Sequence, residues 1–231
     1  MKKFFVLLLV AMLVLTGCQK PKEPEKELPQ DFSRDFIIAD NKQILTKVPE
    51  DKQILDWYSD PSCASCIDLV GIADEFLGDV LQKNNAVVRY HFLNFLDRGD
   101  KNGHSTTVAA YLYQIAEKHP EMFFDFYKKV MNFEWLGTIS EKEPTESFIE
   151  RTILDIEGTQ AQYNELKENI DKYKERVVQV TANVIDDKDL ASKSPAESLF
   201  TPFLVGSKSD KAIDFSKVEN VKSAIEEQLK N

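Results

Sequence analysis

Gln53-Ile54-Leu55-Asp56-Trp57-Tyr58 is a short apolar run that leads through Ser59-Asp60-Pro61-Ser62 into Cys63-Ala64-Ser65-Cys66. The first segment has the length and composition of a strand, and the Ser/Asp/Pro cluster is a turn and helix-start signal. The two cysteines are therefore expected where a strand hands over to a helix. From Cys66 the apolar positions Val70, Ala73, Phe76 or Leu77, and Val80 recur every three to four residues, which predicts one amphipathic helix. Ala86 to Leu93 (AVVRYHFL) is β-branched and aromatic, the composition of a mostly buried strand. Strand, helix and strand in this order imply parallel pairing with a right-handed crossover.

The C-x-x-C spacing carries the chemistry. Unpaired backbone N–H groups and the positive end of the helix dipole stabilise a thiolate at a first helical turn, so Cys63 is expected to fall from about 8.5 into the range of about 3.5–7.5. Cys63 is the expected nucleophile. Cys66 lies close enough across the turn to close a disulfide with Cys63, and it shares the apolar stripe of Val70 and Ala73, so it is the expected buried, resolving thiol. The reaction is then thiol–disulfide exchange through a mixed disulfide on Cys63. Three other readings stand beside it. A zinc site needs further thiolates or imidazoles, and His91, His104 and His119 show no paired ligand spacing, so no metal is expected. A structural disulfide more often joins distant segments than one helical turn, and two inert thiols are hard to keep reduced outside a cell.

Outward from this unit, Asp35 to Leu45 places Phe36-Ile37-Ile38 and Ile44-Leu45 around Asp40-Asn41, the pattern of a short hairpin or of a strand with its lead-in. Helical periodicity covers Ser105 to His119, Glu121 to Asn132, Glu146 to Ile156 and Gln160 to about Asp187, punctuated by Pro120, Pro144 and Gly158. Within it Tyr163, Leu166, Ile170, Tyr173, Val177, Val180 and Val184 form an apolar stripe. Core packing of the helical block is the expected use, and a dimer seam the alternative. Leu199 to Val205 (LFTPFLV) reads as a loop and strand around Pro202, Ala212 to Phe215 as another short strand, and Val218 to Lys230 as a terminal helix. Neither strand group makes a sheet alone, so an α/β domain with an inserted helical subdomain is expected. Asp56 and Asp60 flank the cysteine turn, where helix-start duty is the expected role and proton relay the alternative. A phosphate-cradling Gly-rich loop, a Walker sequence and a hydrolase nucleophile elbow are absent from the sequence.

Composition limits the function classes. The chain has 231 residues, 42% apolar, with 29 basic against 39 acidic side chains and a net charge of −10. One ordinary domain fits this length, and attraction to nucleic acid is unsupported. Lys2 and Lys3 precede an uncharged run from Phe4 to Leu15, too short to span a bilayer and right for a signal peptide over residues 1–17. The run ends in Leu15-Thr16-Gly17-Cys18, which resembles a bacterial lipobox, so Cys18 is the expected lipidation site and mature N-terminus. An ordinary secretory signal with an incidental Cys is the alternative. Residues 18–34, with Pro21, Pro24 and Pro29 among alternating charges, read as a flexible tether to the outer face of the cytoplasmic membrane. On that side disulfide chemistry is permitted.

Together, Trp57 to Cys66 (WYSDPSCASC), Val87 to Leu93, Gly103 to Val130 and Thr201-Pro202 resemble the DsbA-like thiol oxidoreductases of the thioredoxin superfamily. The resemblance implies a thioredoxin-like domain over residues 35–231 with a helical insertion at about 103–190. It implies a cis bond before Pro202 and a Thr201-Pro202 loop that faces the C-x-x-C and binds extended substrate. Ala64-Ser65 lacks the Pro common at the first position in this family and the His of its strongest oxidants. Phe200 stands where the family often has Gly, which implies a narrower or more apolar approach. The expected function is a lipid-anchored oxidoreductase exchanging disulfides with secreted or surface proteins, with oxidation of clients as the expected direction. No cofactor is called for. A membrane redox partner, DsbB-like or a reductant carrier, is the expected electron link. A non-catalytic surface lipoprotein using the same fold as a binding module, stapled by its C-x-x-C, is the alternative.

Overall fold

A computed structural model describes residues 36–140, 143–196 and 198–230. The signal-peptide, lipidation and tether readings at residues 1–34, Cys18 included, lie outside the described residues.

The sheet begins with the hairpin of the two forms expected there, β1 (Ile37–Asp40) and β2 (Gln43–Leu45), turned through Asn41 at a φ of 49°, which asparagine tolerates better than most residues. β3 (Gln53–Ser59), β4 (Ala86–Phe92) and β5 (Phe203–Gly206) complete it, in the order β2-β1-β4-β3-β5. β3 and β4 run parallel, as expected of a strand–helix–strand unit, with Asp56 opposite Arg89 and Tyr58 opposite His91. β1 joins β4, and β5 joins β3, antiparallel. Side chains alternate across β3. Leu55 and Trp57 enter the main core, while Tyr58 enters a second cluster on the opposite face with Leu93, Val180, Val184 and Phe203.

The helix after the cysteines differs from the expected single one. α1 (Ala64–Ala73) ends, and α2 (Leu77–Lys83) starts after a break at Asp74–Phe76. The backbone of Phe76 is non-helical (φ −137°, ψ −12°), and both Phe76 and Leu77 pack against the core. On a continuous helix these neighbours sit about 100° apart. Leaving the helix lets both reach apolar surface.

The helical block lies between β4 and β5. It comprises α3 (His104–Lys118), α4 (Phe123–Val130), α5 (Phe133–Ser140), α6 (Thr145–Asp155), α7 (Gln160–Glu168), α8 (Ile170–Asp186) and α9 (Lys188–Lys193). The long helix expected from Gln160 is divided at Asn169, yet its stripe from Tyr163 to Val184 is buried throughout, so it serves the core. α5 was not legible, since Gly137, Thr138 and Ile139 are indifferent helix formers. Trp135, only 1% exposed, holds it down by burial.

The strand expected at Ala212 to Phe215 does not form. The Ala212 N–H donates to the Lys193 carbonyl, and Ile213 alone reaches β5 through Leu204. The Asp214 carboxylate then accepts from the Ser216 N–H and Oγ and folds the chain into a 3₁₀ turn, a local bond that competes with pairing. α10 (Val221–Gln228) closes the chain under an Asn220 cap. No helix among the described residues is long and apolar enough to cross a membrane.

Candidate active site

The end of β3 delivers the chain to the first turn of α1, and the N-cap of that helix is Cys63 itself (φ −85°, ψ 114°). An N-cap side chain ordinarily offers an oxygen to the free N–H groups of the first turn. Here the sulfur does so, accepting from the Cys66 N–H at 3.4 Å. Cys63 is half-buried and Cys66 fully buried, and both are free thiols.

Opposite them stands the loop before β5. The Thr201-Pro202 bond is cis, and the Cys63 thiol donates to the Thr201 carbonyl at 3.6 Å. Because β5 runs antiparallel to β3, the start of one strand meets the end of the other, and residues 138 positions apart converge. All four sequence-predicted residues in the described chain, Cys63, Cys66, Thr201 and Pro202, thus lie together.

The two thiols are pushed in opposite directions. A hydrogen bond from the Cys66 thiol, with help from the Cys66 backbone N–H and the Thr201 side chain, brings Cys63 down to about 6 despite its partial burial. Burial drives Cys66 strongly upward, and the neighbouring Cys63 charge adds to this. At neutral pH the pair is one thiolate and one thiol.

The two acids separate. Asp56 faces away from the cysteines and binds Arg89 (Nε at 2.6 Å, Nη2 at 2.5 Å) and His91 (Nε2 at 2.8 Å). Burial alone would raise it, but hydrogen bonds and charge from His91 and Arg89 hold it below the usual carboxylate range. It ties β3 to β4 beneath the site. Asp60 has no exposed surface and sits in the cysteine turn. It accepts from the Ser62 N–H at 2.8 Å, the Leu96 N–H at 2.9 Å and the Ser105 hydroxyl at 2.5 Å. Burial pushes it up to about 6 against those three bonds. Asp60 performs the expected turn duty, and it also anchors the start of α3 to the site.

Sequence reading missed two supports. The Trp135 indole donates to the Pro61 carbonyl at 3.0 Å, and Ser105 reaches Asp60; the partners lie 74 and 45 residues apart, and no local pattern marks either bond. Two exposed apolar side chains also stand in the loops at this end of the sheet. Leu96, 57% exposed, follows β4 on one side of β3, and Phe200, 38% exposed, precedes β5 on the other.

Residues 1–19 match the model of the prokaryotic membrane lipoprotein lipid attachment site, which supports a lipid-anchored extracytoplasmic protein. A comparison with curated proteins finds no match. Among solved structures, the chain resembles MdbA of Corynebacterium diphtheriae, a thiol-disulfide oxidoreductase, at 20% identity and a TM-score of 0.61, covering 89% of this chain and 100% of that one. MdbA of Actinomyces oris is similar at 15% identity and 0.60, over 84% and 87% of the two chains. Reduced DsbA of Mycobacterium tuberculosis is similar at 14% identity and 0.57, over 85% and 91%. These likenesses establish the fold: a thioredoxin fold with a helical insertion, as the sequence predicts.

Proposed function

We propose that this chain is a thiol–disulfide oxidoreductase of the bacterial cell envelope, held to the outer face of the cytoplasmic membrane through lipid on Cys18. The observation that carries the reading is Cys63 capping α1 as a half-buried thiol over a fully buried Cys66, with the Thr201 carbonyl 3.6 Å from its sulfur. The MdbA proteins that share the fold are thiol-disulfide oxidoreductases, which supports the same chemistry here.

In the oxidase direction Cys63 and Cys66 begin as a disulfide. A client thiolate attacks the Cys63 sulfur, the Cys63–Cys66 bond breaks, and Cys66 leaves and takes up a proton. A second client thiolate then attacks the client sulfur of the mixed disulfide and expels Cys63 as the thiolate. The client gains a disulfide, and two electrons stay on the cysteine pair. A fold that stabilises the Cys63 thiolate favours the reduced pair over its disulfide, which drives oxidation of clients. Clients are secreted or surface proteins in extended form, paired along Thr201 and flanked by Leu96 and Phe200. A membrane partner of the DsbB type removes the electrons.

Trapping tests the reading. Cys66→Ser should accumulate mixed disulfides with envelope proteins through Cys63, while Cys63→Ser should accumulate few or none. Equal absence of adducts in both variants would make the pair a staple and the fold a binding module.

A further inference from the structure

β1 enters the sheet beside the cysteines. It runs antiparallel to β4, with Ile37 opposite Tyr90 and Ala39 opposite Val88, so its first residues lie next to the last residues of β4. β4 in turn runs parallel to β3, whose end delivers the cysteine turn. One row of rings traces the path across the sheet. The Phe36 ring lies 5.5 Å from that of His91, His91 stacks on Tyr58 at 4.0 Å, and Tyr58 meets Phe203 edge-on at 5.5 Å. Four strands share this row, about 14 Å from β1 to β5, and Phe203 directly follows Pro202.

The last helix lies at the opposite end. Gln53, the first residue of β3, donates to the Leu229 carbonyl at 3.0 Å, and the N–H of Gly206, the last residue of β5, donates to the Gln228 side chain at 2.9 Å. From Gln53 to Ser59 the strand covers about 20 Å. The two ends are therefore well separated.

The chain from Cys18 to Phe36 spans at most about 60 Å whatever its course. A folded body cannot enter a bilayer, and turning it over would oblige the same chain to span the body's depth as well, at a cost in conformational freedom. The end where the chain enters is thus the near end. Beyond Asp35 acidic residues outnumber basic ones, so anionic lipid does not draw a flank of the body down instead.

We infer that the cysteine pair works on the bilayer side of the molecule, on thiols and disulfides that membrane proteins carry close to the lipid surface, in preference to those of released proteins. The inference rests on the oxidoreductase reading and on lipid at Cys18.

The test uses the reduced, lipidated protein in vesicles of phosphatidylethanolamine and phosphatidylglycerol in which some headgroups carry a 2-pyridyl disulfide. The Cys63 thiolate attacks the lipid-side sulfur and expels pyridine-2-thione, which is read by absorbance. Cys66 then loses its proton to water and attacks Cys63, closing the pair's disulfide and releasing the lipid thiolate, so two electrons pass to the probe. Dithiodipyridine in solution reports the same chemistry without a surface. Deleting residues 20–31 leaves six links between Cys18 and Phe36, about 20 Å. With the site at the near end, the rate on the lipid probe should rise about fivefold, following the −3/2 power of length, while the rate in solution stays. A lipid-probe rate that falls while the solution rate stays would overturn the inference, because it would put the site at the far end. Reaction with neither probe would instead overturn the oxidoreductase reading, and the inference with it. If the deletion variant fails to mature, energy transfer in the native-length protein decides. With Cys63 and Cys66 kept as a disulfide, a fluorophore on Arg98→Cys, exposed in the loop after β4, should transfer more to acceptor lipids than one on Lys230→Cys, exposed beside Leu229. Equal or reversed transfer would refute the orientation.

Discussion

Acidification should separate Cys63 from an ordinary thiol more sharply than any measurement at neutral pH. With Cys63 at about 6, about 9% of it is thiolate at pH 5, against about 0.03% of a thiol at about 8.5. The population advantage is roughly 300-fold at pH 5. A weaker base is also a weaker nucleophile, by a slope of about 0.4–0.5 per unit of pKa, which returns about ten- to eighteenfold over this interval. The net expectation is that Cys63 reacts with iodoacetamide about twentyfold faster than free cysteine at pH 5, about twofold faster at pH 7 and about tenfold slower at pH 9, with a crossover near pH 7.4. The assay is alkylation of the reduced protein, with Cys63 followed by mass spectrometry across that range. Cys66 adds nothing below neutrality, because burial holds it protonated. A profile with its midpoint near 8.5 and no crossover would refute the claim that the helix start and the Cys66 hydrogen bond hold a thiolate.

Three further outcomes follow from the supports around the pair. Asp60→Asn removes a charge that opposes the Cys63 thiolate, so the alkylation midpoint should move to lower pH. The variant should also lose about 1–3 kcal/mol in urea unfolding, because all three of its partners are donors and an amide nitrogen must face one of them. Since the folded carboxyl is raised to about 6, its contribution is fully present below the ordinary carboxylate range and lost as pH rises through about 6. The wild-type advantage should therefore shrink between pH 4 and pH 7, and an unchanged gap would count against a buried, raised Asp60. Trp135→Phe leaves the Pro61 carbonyl buried without its donor and should cost about 1–3 kcal/mol by the same assay, whereas a neutral effect would show that the bond contributes nothing. Replacing Leu96 and Phe200 together by Ser should raise KM several-fold for peptide dithiols with apolar neighbours, the scale of partly burying two such side chains, and leave exchange with glutathione unchanged. Equal losses with both substrates would mean that these residues support the site rather than the client.

What the sequence determined by itself is local. The cysteine pair at a strand-to-helix junction, the parallel unit of β3 and β4 and the helical block were legible, because turn chemistry and hydrophobic period act within a few residues. The expected helix through Phe76 and the expected strand at Ala212 failed for the complementary reason. The packing of Phe76 and Leu77 against the core, and the bond from Ala212 to Lys193, depend on surfaces supplied by distant segments. The opposite fates of Asp56 and Asp60, four residues apart, were likewise decided in three dimensions: alternation along β3 turns the first toward Arg89 and His91, and the loop after it seals the second beneath Ser105 and Leu96. Burial and electrostatics depend on everything within a few ångströms, whatever its distance along the chain. Where the thiolate can stand was therefore local information, while how strongly it is held and what faces it were settled only when remote elements closed around it.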